Sequence, residues 1–368
     1  MRLDGRARFR STVLAAALAA ASGACQGAAS APTPDELVAT AIADEGLPAI
    51  AVAVVDGRSL LYERIAGFRK RGDPTPVADD DAFHLGSNTK AMTALIAGTT
   101  VDEGLLTLDS TVSDVLGNEI IIGDGYGGVT LTQLLSQTSG LTDLTAAEWD
   151  TFKTSADPLP AQRLHCAALA FAHPAYFAPG VAFRYTNLNY IVAGAMVEVA
   201  TGKSWETLMS ERVFGPLEMT HAGIGLPATT DAVDAPWGHP DNVDLLPVVG
   251  PAGTAHASLG DLLNYARVYF DDGLGPNGRI ISHAMLTEIE TPRLATYGLG
   301  WFIEHDAANR VVLTHNGSNS NFYSKITLIP ERGAALILLT NSGEPQAWTR
   351  VDKLEEDLAT HFGLGPFI

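Results

Sequence analysis

Cysteine is scarce in this chain: 368 residues hold two, Cys25 and Cys166. A disulfide framework is therefore excluded, and Cys166, set in the apolar stretch LHCAALAFA, reads as a small buried hydrophobe. No HExxH pattern or clustered Cys/His site occurs, so no metal or other cofactor is called for. Positive charge is short as well, with 23 Lys and Arg against 42 Asp and Glu and a net charge of -19. That balance sets aside nucleic acid and anionic membrane surfaces as partners. Internal repeats and long low-complexity segments are missing too. With 46% hydrophobic and 18% charged residues, the chain has the composition of a globular protein. Its length suffices for one large or two interlocked domains.

The N-terminus carries an export pattern. MRLDGRARFR is a basic n-region, STVLAAALAAA an apolar h-region too short to span a bilayer, and SGAC a small-residue processing site. Residues 1–24 are read as a signal peptide, which makes the protein an exported one of the periplasm or cell envelope. Gly23-Ala24-Cys25 resembles the end of a bacterial lipobox, with Cys25 as the lipidated residue. Ser22 stands where that pattern prefers an aliphatic residue, and cleavage near Ala24 to Ala31 without lipidation is the alternative. A lipid on Cys25 would be the one membrane contact. Residues 25–34, small and Pro-rich, read as a tether.

Downstream, residues 35–46 read as an amphipathic helix, and Ala49 to Val55 with Ser59 to Gly67 as a hairpin turning at Asp56-Gly57-Arg58. VTLTQLLSQTSGL, parts of 145–180, the stretch after Tyr185, SWETLMSERVFGPLEM, Ser258 to Phe270 and Val351 to Phe362 carry helical patterns. YGLGWFI, RVVLTHNG, NFYSKITLIP and AALILLTNS read as strands. Strands at both ends with helices between imply a sheet built from both termini and a helical insertion.

Three constellations carry chemistry. Ser87 opens a helical pattern and Lys90 follows one turn later on the same face, a nucleophile with a base attached if burial lowers the lysine pKa. Free N–H groups at a helix N-terminus would stabilise developing negative charge there. Tyr185-Thr186-Asn187 offers a phenol for proton transfer and an amide to hold a substrate, or simply a core aromatic before an Asn N-cap. His315-Asn316-Gly317-Ser318 would let a substrate lie along a strand edge, or be a hairpin turn.

In this order, S-x-x-K, Y-x-N and H-x-G, with flanks such as FHLGSNTKAMTAL, LTQLLSQTSGL, FRYTNLNYIVAG, PAGTAHASLGDLLNYAR and YGLGW, resemble the serine β-lactamase and penicillin-binding-protein superfamily. The branch is that of class C β-lactamases, D-Ala-D-Ala carboxypeptidases and related esterases. The likeness runs from Asp35 to the C-terminus. It implies an α/β (α+β) fold, an antiparallel sheet flanked by helices with an inserted, mostly helical part and the active site between them. On that pattern residues 35–368 form one hydrolase domain, the α/β part spanning 35–84 and 255–368 and the helical part 85–254.

The resemblance also implies roles. Ser87 is the acyl-accepting nucleophile, and Lys90 with Tyr185 the proton-transfer pair. Asn187 holds Lys90 and the substrate's acyl side chain. His315 takes the place of the strand lysine or histidine, with Asn316, Gly317 and Ser318 along the substrate. The N–H groups of Ser87 and Ser318 form the oxyanion hole. The implied substrate is a small ester, peptide or β-lactam. His-Asn-Gly in place of Lys-Thr-Gly, and Leu144 where class C enzymes carry a glutamine, favour an esterase or D-amino-acid peptidase over an efficient β-lactamase. A slow penicillin-binding sensor or scaffold is the alternative.

Overall fold

A computed structural model describes residues 31–43, 46–228 and 233–367. The signal peptide and Cys25 lie outside the described residues, as does most of the tether. From Thr33 onward the chain forms one unit.

A capping box between Thr33 and Glu36 starts helix α1, Pro34–Ile42, which ends four residues before the sequence pattern does. Strands β1, Ala49–Asp56, and β2, Ser59–Gly67, form the expected hairpin, with Gly57 and Arg58 at positive φ as a tight right-twisted hairpin turn requires. The C-terminal third adds β3, Phe302–His305; β4, Val311–Ser318; β5, Tyr323–Ile329; and β6, Ala334–Thr340. The sheet order is β2-β1-β6-β5-β4-β3, every neighbouring pair antiparallel.

Strand alternation divides the core in two. Ile50, Val52 and Val54 of β1 face one side, where they meet Val38 of α1 and Val351, Leu354 and Leu358 of the C-terminal helix. Ala49, Ala51 and Ala53 face the larger core on the other side. Both faces are covered, which is why β1 reads as a continuous apolar run.

The larger core holds helix α2, Thr89–Asp102, buried from Thr89 through Thr100, and helix α3, Asn187–Thr201, buried from Leu188 through Glu198. Helix α4, Leu259–Phe270, is N-capped by Ser258, and helix α5, Pro345–His361, packs on the opposite face of the sheet. A small sheet joins Ala82–His84, Ala255–Ser258 and Gly223–Ile224. Among the described residues no helix is long and apolar enough to cross a membrane.

Three expectations change. YGLGW is not strand: Gly298 N–H bonds to the Trp301 carbonyl and Leu299 N–H to that of Ile289, so the segment turns before β3 and buries Tyr297 and Trp301. VTLTQLLSQTSGL is helical only over Leu131–Leu135, since the chain leaves the helix through Gln137 at φ 62. SWETLMSERVFG is helical over Trp205–Met209 and then widens into a π-helical turn, Ser210–Phe214.

Candidate active site

Ser87 lies on a 3₁₀ turn, Gly86–Asn88, that feeds α2, so Lys90 emerges in the first turn of the helix proper. The turn is stapled to the sheet: Asn88 Nδ2 donates to Ser324 Oγ at 2.7 Å, and Ser324 Oγ donates to the Leu85 carbonyl at 2.7 Å. Thr89 Oγ1 closes the turn on the Gly86 carbonyl at 2.7 Å.

Lys90 is fully buried, and its Nζ lies 3.0 Å from Ser87 Oγ, 2.8 Å from Asn187 Oδ1 and 2.7 Å from the Ala252 carbonyl. None of these is a carboxylate, and burial holds the amine well below the usual lysine range. A neutral amine has two N–H bonds and one lone pair. The Asn187 and Ala252 oxygens can only accept, so they take both N–H bonds and leave the lone pair facing Ser87 Oγ. The arrangement can draw the proton from the serine hydroxyl.

Tyr185 sits across the cleft with its ring 4.8 Å from Lys90 Nζ. More than a third of the residue is exposed, yet its hydroxyl is enclosed, and burial raises its pKa while a hydrogen bond to Ser87 acts in the opposite sense. The phenol therefore stays protonated and can donate. Thr186, not Asn187, caps α3, which frees the Asn187 amide for Lys90. Gln137 holds this turn: its Oε1 accepts from Thr186 N–H at 3.0 Å and from Asn189 Nδ2 at 2.6 Å.

The strand β4 approaches the Ser87 turn through two glycines. A Cβ on Gly317 would lie 2.0 Å from the Leu85 carbonyl and 2.7 Å from Ser87 N. A Cβ on Gly86, at φ +51, would lie 2.2 Å from Ser318 N. This contact brings the Ser87 and Ser318 amides to one place, as an oxyanion hole requires. β3 pairs with β4 only from Val311 to Thr314, so the outer edge of Asn316–Ser318 has no strand partner among the described residues.

Two lobes meet at Tyr185. One, of about 310 Å³, is lined by Ser87, Phe302, His315, Asn316, Gly317, Ser318, Tyr323 and Trp348. The other, of about 450 Å³, is lined by Asp143, Trp149, Thr186, Asn187, Leu245, Leu246 and Val249.

The Beta-lactamase family profile matches residues 34–360. The chain belongs to the Beta-lactamase family. Penicillin-binding protein 4 of Amycolatopsis lactamdurans is 30% identical over 328 residues, 81% of each chain. The octameric penicillin-binding protein homologue from Pyrococcus abyssi superposes with a TM-score of 0.72 at 23% identity, over 90% of this chain and 77% of that one. A D-stereospecific amidohydrolase from Streptomyces sp. superposes at 0.69 and 23%, over 88% and 98%. These two structures share the fold.

Within this serine hydrolase family the H-x-G strand of the present chain has its own electrostatics. His315 is 2% exposed, and burial lowers its pKa to about 3, helped by repulsion from Lys90 once acid has protonated that amine. Its Nδ1 donates to the Asn316 carbonyl, leaving Nε2 to accept from Tyr297 Oη at 3.3 Å. The imidazole is thus neutral. Asn316 points to the other face of the strand, where its Nδ2 donates to Tyr323 Oη at 3.3 Å. Leu144 is packed into the core. Sequence reasoning missed Gln137 and Ser324, which act through contacts distant in sequence; only the Gln within LTQLLSQTSGL lay in a flank already singled out.

Proposed function

We propose that this Beta-lactamase family member is a cell-envelope acyl-serine hydrolase for uncharged, apolar esters or amides. The observation that carries the hydrolase reading is the buried Lys90 amine 3.0 Å from Ser87 Oγ, with its other two partners both oxygen acceptors. Lys90 takes the Ser87 proton as Oγ attacks the substrate carbonyl, and the Ser87 and Ser318 N–H groups hold the oxyanion. Tyr185 hands a proton to the leaving group, and water then hydrolyses the acyl-enzyme. The acyl side chain enters the lobe beside Asn187, walled by Trp149, Leu245, Leu246 and Val249, while the substrate backbone adds to the free edge of β4. Envelope location rests on the N-terminal sequence.

The preference for uncharged substrates follows from the lining. Neither lobe is lined by Arg or Lys, His315 is neutral, and the Asn316 amide is turned to Tyr323. Arg184 is paired with Asp143 at 2.8 Å, and Lys325 with Asp352 and Glu355. Among the described residues lining the two lobes, a substrate carboxylate would find no free cation.

The test is a rate comparison across p-nitrophenyl butyrate, an N-acyl-D-amino-acid p-nitroanilide, an acylated D-Ala-D-Ala peptide and nitrocefin, with Ser87→Ala as control. The ester and the anilide should turn over faster than the two carboxylates. Equal or faster hydrolysis of the carboxylates would overturn the preference. A second reading, a penicillin-binding sensor, is supported by the name of the 30%-identical relative. A long-lived penicillin adduct on Ser87 with negligible ester turnover would favour it.

A further inference from the structure

The strand entering the Ser87 turn ends on His84, a fully buried residue that the mechanism above does not use. Its Nδ1 accepts a hydrogen bond from Gly86 N–H at 3.1 Å. Nδ1 therefore carries no proton, and the ring proton resides on Nε2. Nε2 lies 3.0 Å from Asp244 Oδ1, an electrostatic contact rather than an aligned hydrogen bond. The same oxygen accepts from Leu245 N–H at 2.7 Å and from Asn319 Nδ2 at 3.4 Å. Asn319, next to Ser318, in turn accepts from the N–H groups of Asn321 and Phe322 through Oδ1. One carboxylate thus touches both strands of chain that carry the oxyanion amides.

We propose that Asp244 and His84 are positioning residues that set the oxyanion hole. His84 fixes the plane of the Leu85–Gly86 peptide, one residue before the peptide that carries the Ser87 N–H, and Asp244 fixes both the His84 tautomer and the loop following Ser318. The leverage is geometric. The Gly86 backbone is so close to Ser318 N that a small rotation of its peptide changes the angle between the two donors. Mis-aimed donors cost ~10²-fold in rate or more. The neighbouring His256, paired opposite His84, donates its Nδ1–H to the Gly225 carbonyl at 2.8 Å, and burial lowers its pKa. It adds no competing charge.

A packing role against Phe322, whose ring lies 6.0 Å away, makes different predictions. His84→Leu keeps bulk but removes the acceptor, whereas His84→Asn restores an acceptor near the Nδ1 position. We expect His84→Leu to lower kcat and the rate of fluorophosphonate acylation by ~10²-fold with KM within about threefold of wild type. His84→Asn should recover most of the loss, and Asp244→Asn should fall between. Equal losses in the Leu and Asn variants, or a wild-type kcat for His84→Leu, would overturn the proposal. The rate predictions rest on the hydrolase reading, so the tautomer is measured separately, by ¹⁵N NMR of the His84 ring. An unprotonated Nδ1 in wild type, altered in Asp244→Asn, is expected whether or not the protein turns over. A protonated Nδ1 would overturn the dyad, and a wild type that never acylates would count against the hydrolase reading instead.

Discussion

Lys90 is a buried amine whose hydrogen-bond partners carry no negative charge, and Tyr185 is a phenol kept protonated beside it. The lysine is the acceptor and the tyrosine the donor because burial pushes each toward its neutral form. Lys90→Arg introduces a cation that cannot give up its proton, so acylation of Ser87 should be lost, as in Lys90→Ala, while the melting profile stays cooperative. Labelling of either variant at the wild-type rate would remove Lys90 from the proton path. Because the amine works when neutral, kcat/KM should fall as pH drops through its lowered pKa; an acid limb near the ordinary 10.5 would contradict its burial. Tyr185→Phe should slow turnover by ~10²-fold, read from steady-state anilide hydrolysis, with the loss falling on acylation, the step in which the leaving group takes its proton.

At the scale of elements, the site depends on how close a strand can come to a helical turn. Gly317→Ala puts a methyl 2.0 Å from the Leu85 carbonyl, so β4 must retreat from the Ser87 turn. A loss of kcat of ~10²-fold or more is expected, and a variant with wild-type kcat would show that the amide of Ser318 is not a required donor. Most of the long elements were legible in the sequence, since β1, β4, β5 and β6 show strand-like runs and α3 and α4 carry helical patterns. The small sheet of Ala82–His84, Ala255–Ser258 and Gly223–Ile224 was not, because strands of two to four residues carry no readable period. The helix His283–Glu290 was also missed, although Ser282 caps it. In the site, Ser87, Lys90, Tyr185, Asn187 and His315 were legible as motifs, and the structure brings them together. Gln137, Ser324, His84 and Asp244 were not, because each acts through a tertiary contact that local pattern does not encode.

At the scale of the whole molecule, excess negative charge and a cleft whose described lining holds no Arg or Lys both disfavour anionic ligands. Stability should report the same electrostatics. His315 has a folded pKa of about 3 against an ordinary 6.5, so the unfolded chain binds the proton first as pH falls. Its contribution is absent above pH 6.5 and turns destabilising between 6.5 and 3, by about 2 kcal/mol at pH 5. His315→Gln should flatten that part of the stability curve in denaturant titrations; an unchanged slope would mean that the imidazole is solvated. The central claim, acyl transfer to Ser87 driven by a neutral Lys90, is tested most directly by intact-mass spectrometry after exposure to p-nitrophenyl butyrate and a fluorophosphonate. The account predicts one adduct per chain, mapped to Ser87, absent in Ser87→Ala and in Lys90→Ala. An adduct that persists in Lys90→Ala, or maps to another residue, would contradict it.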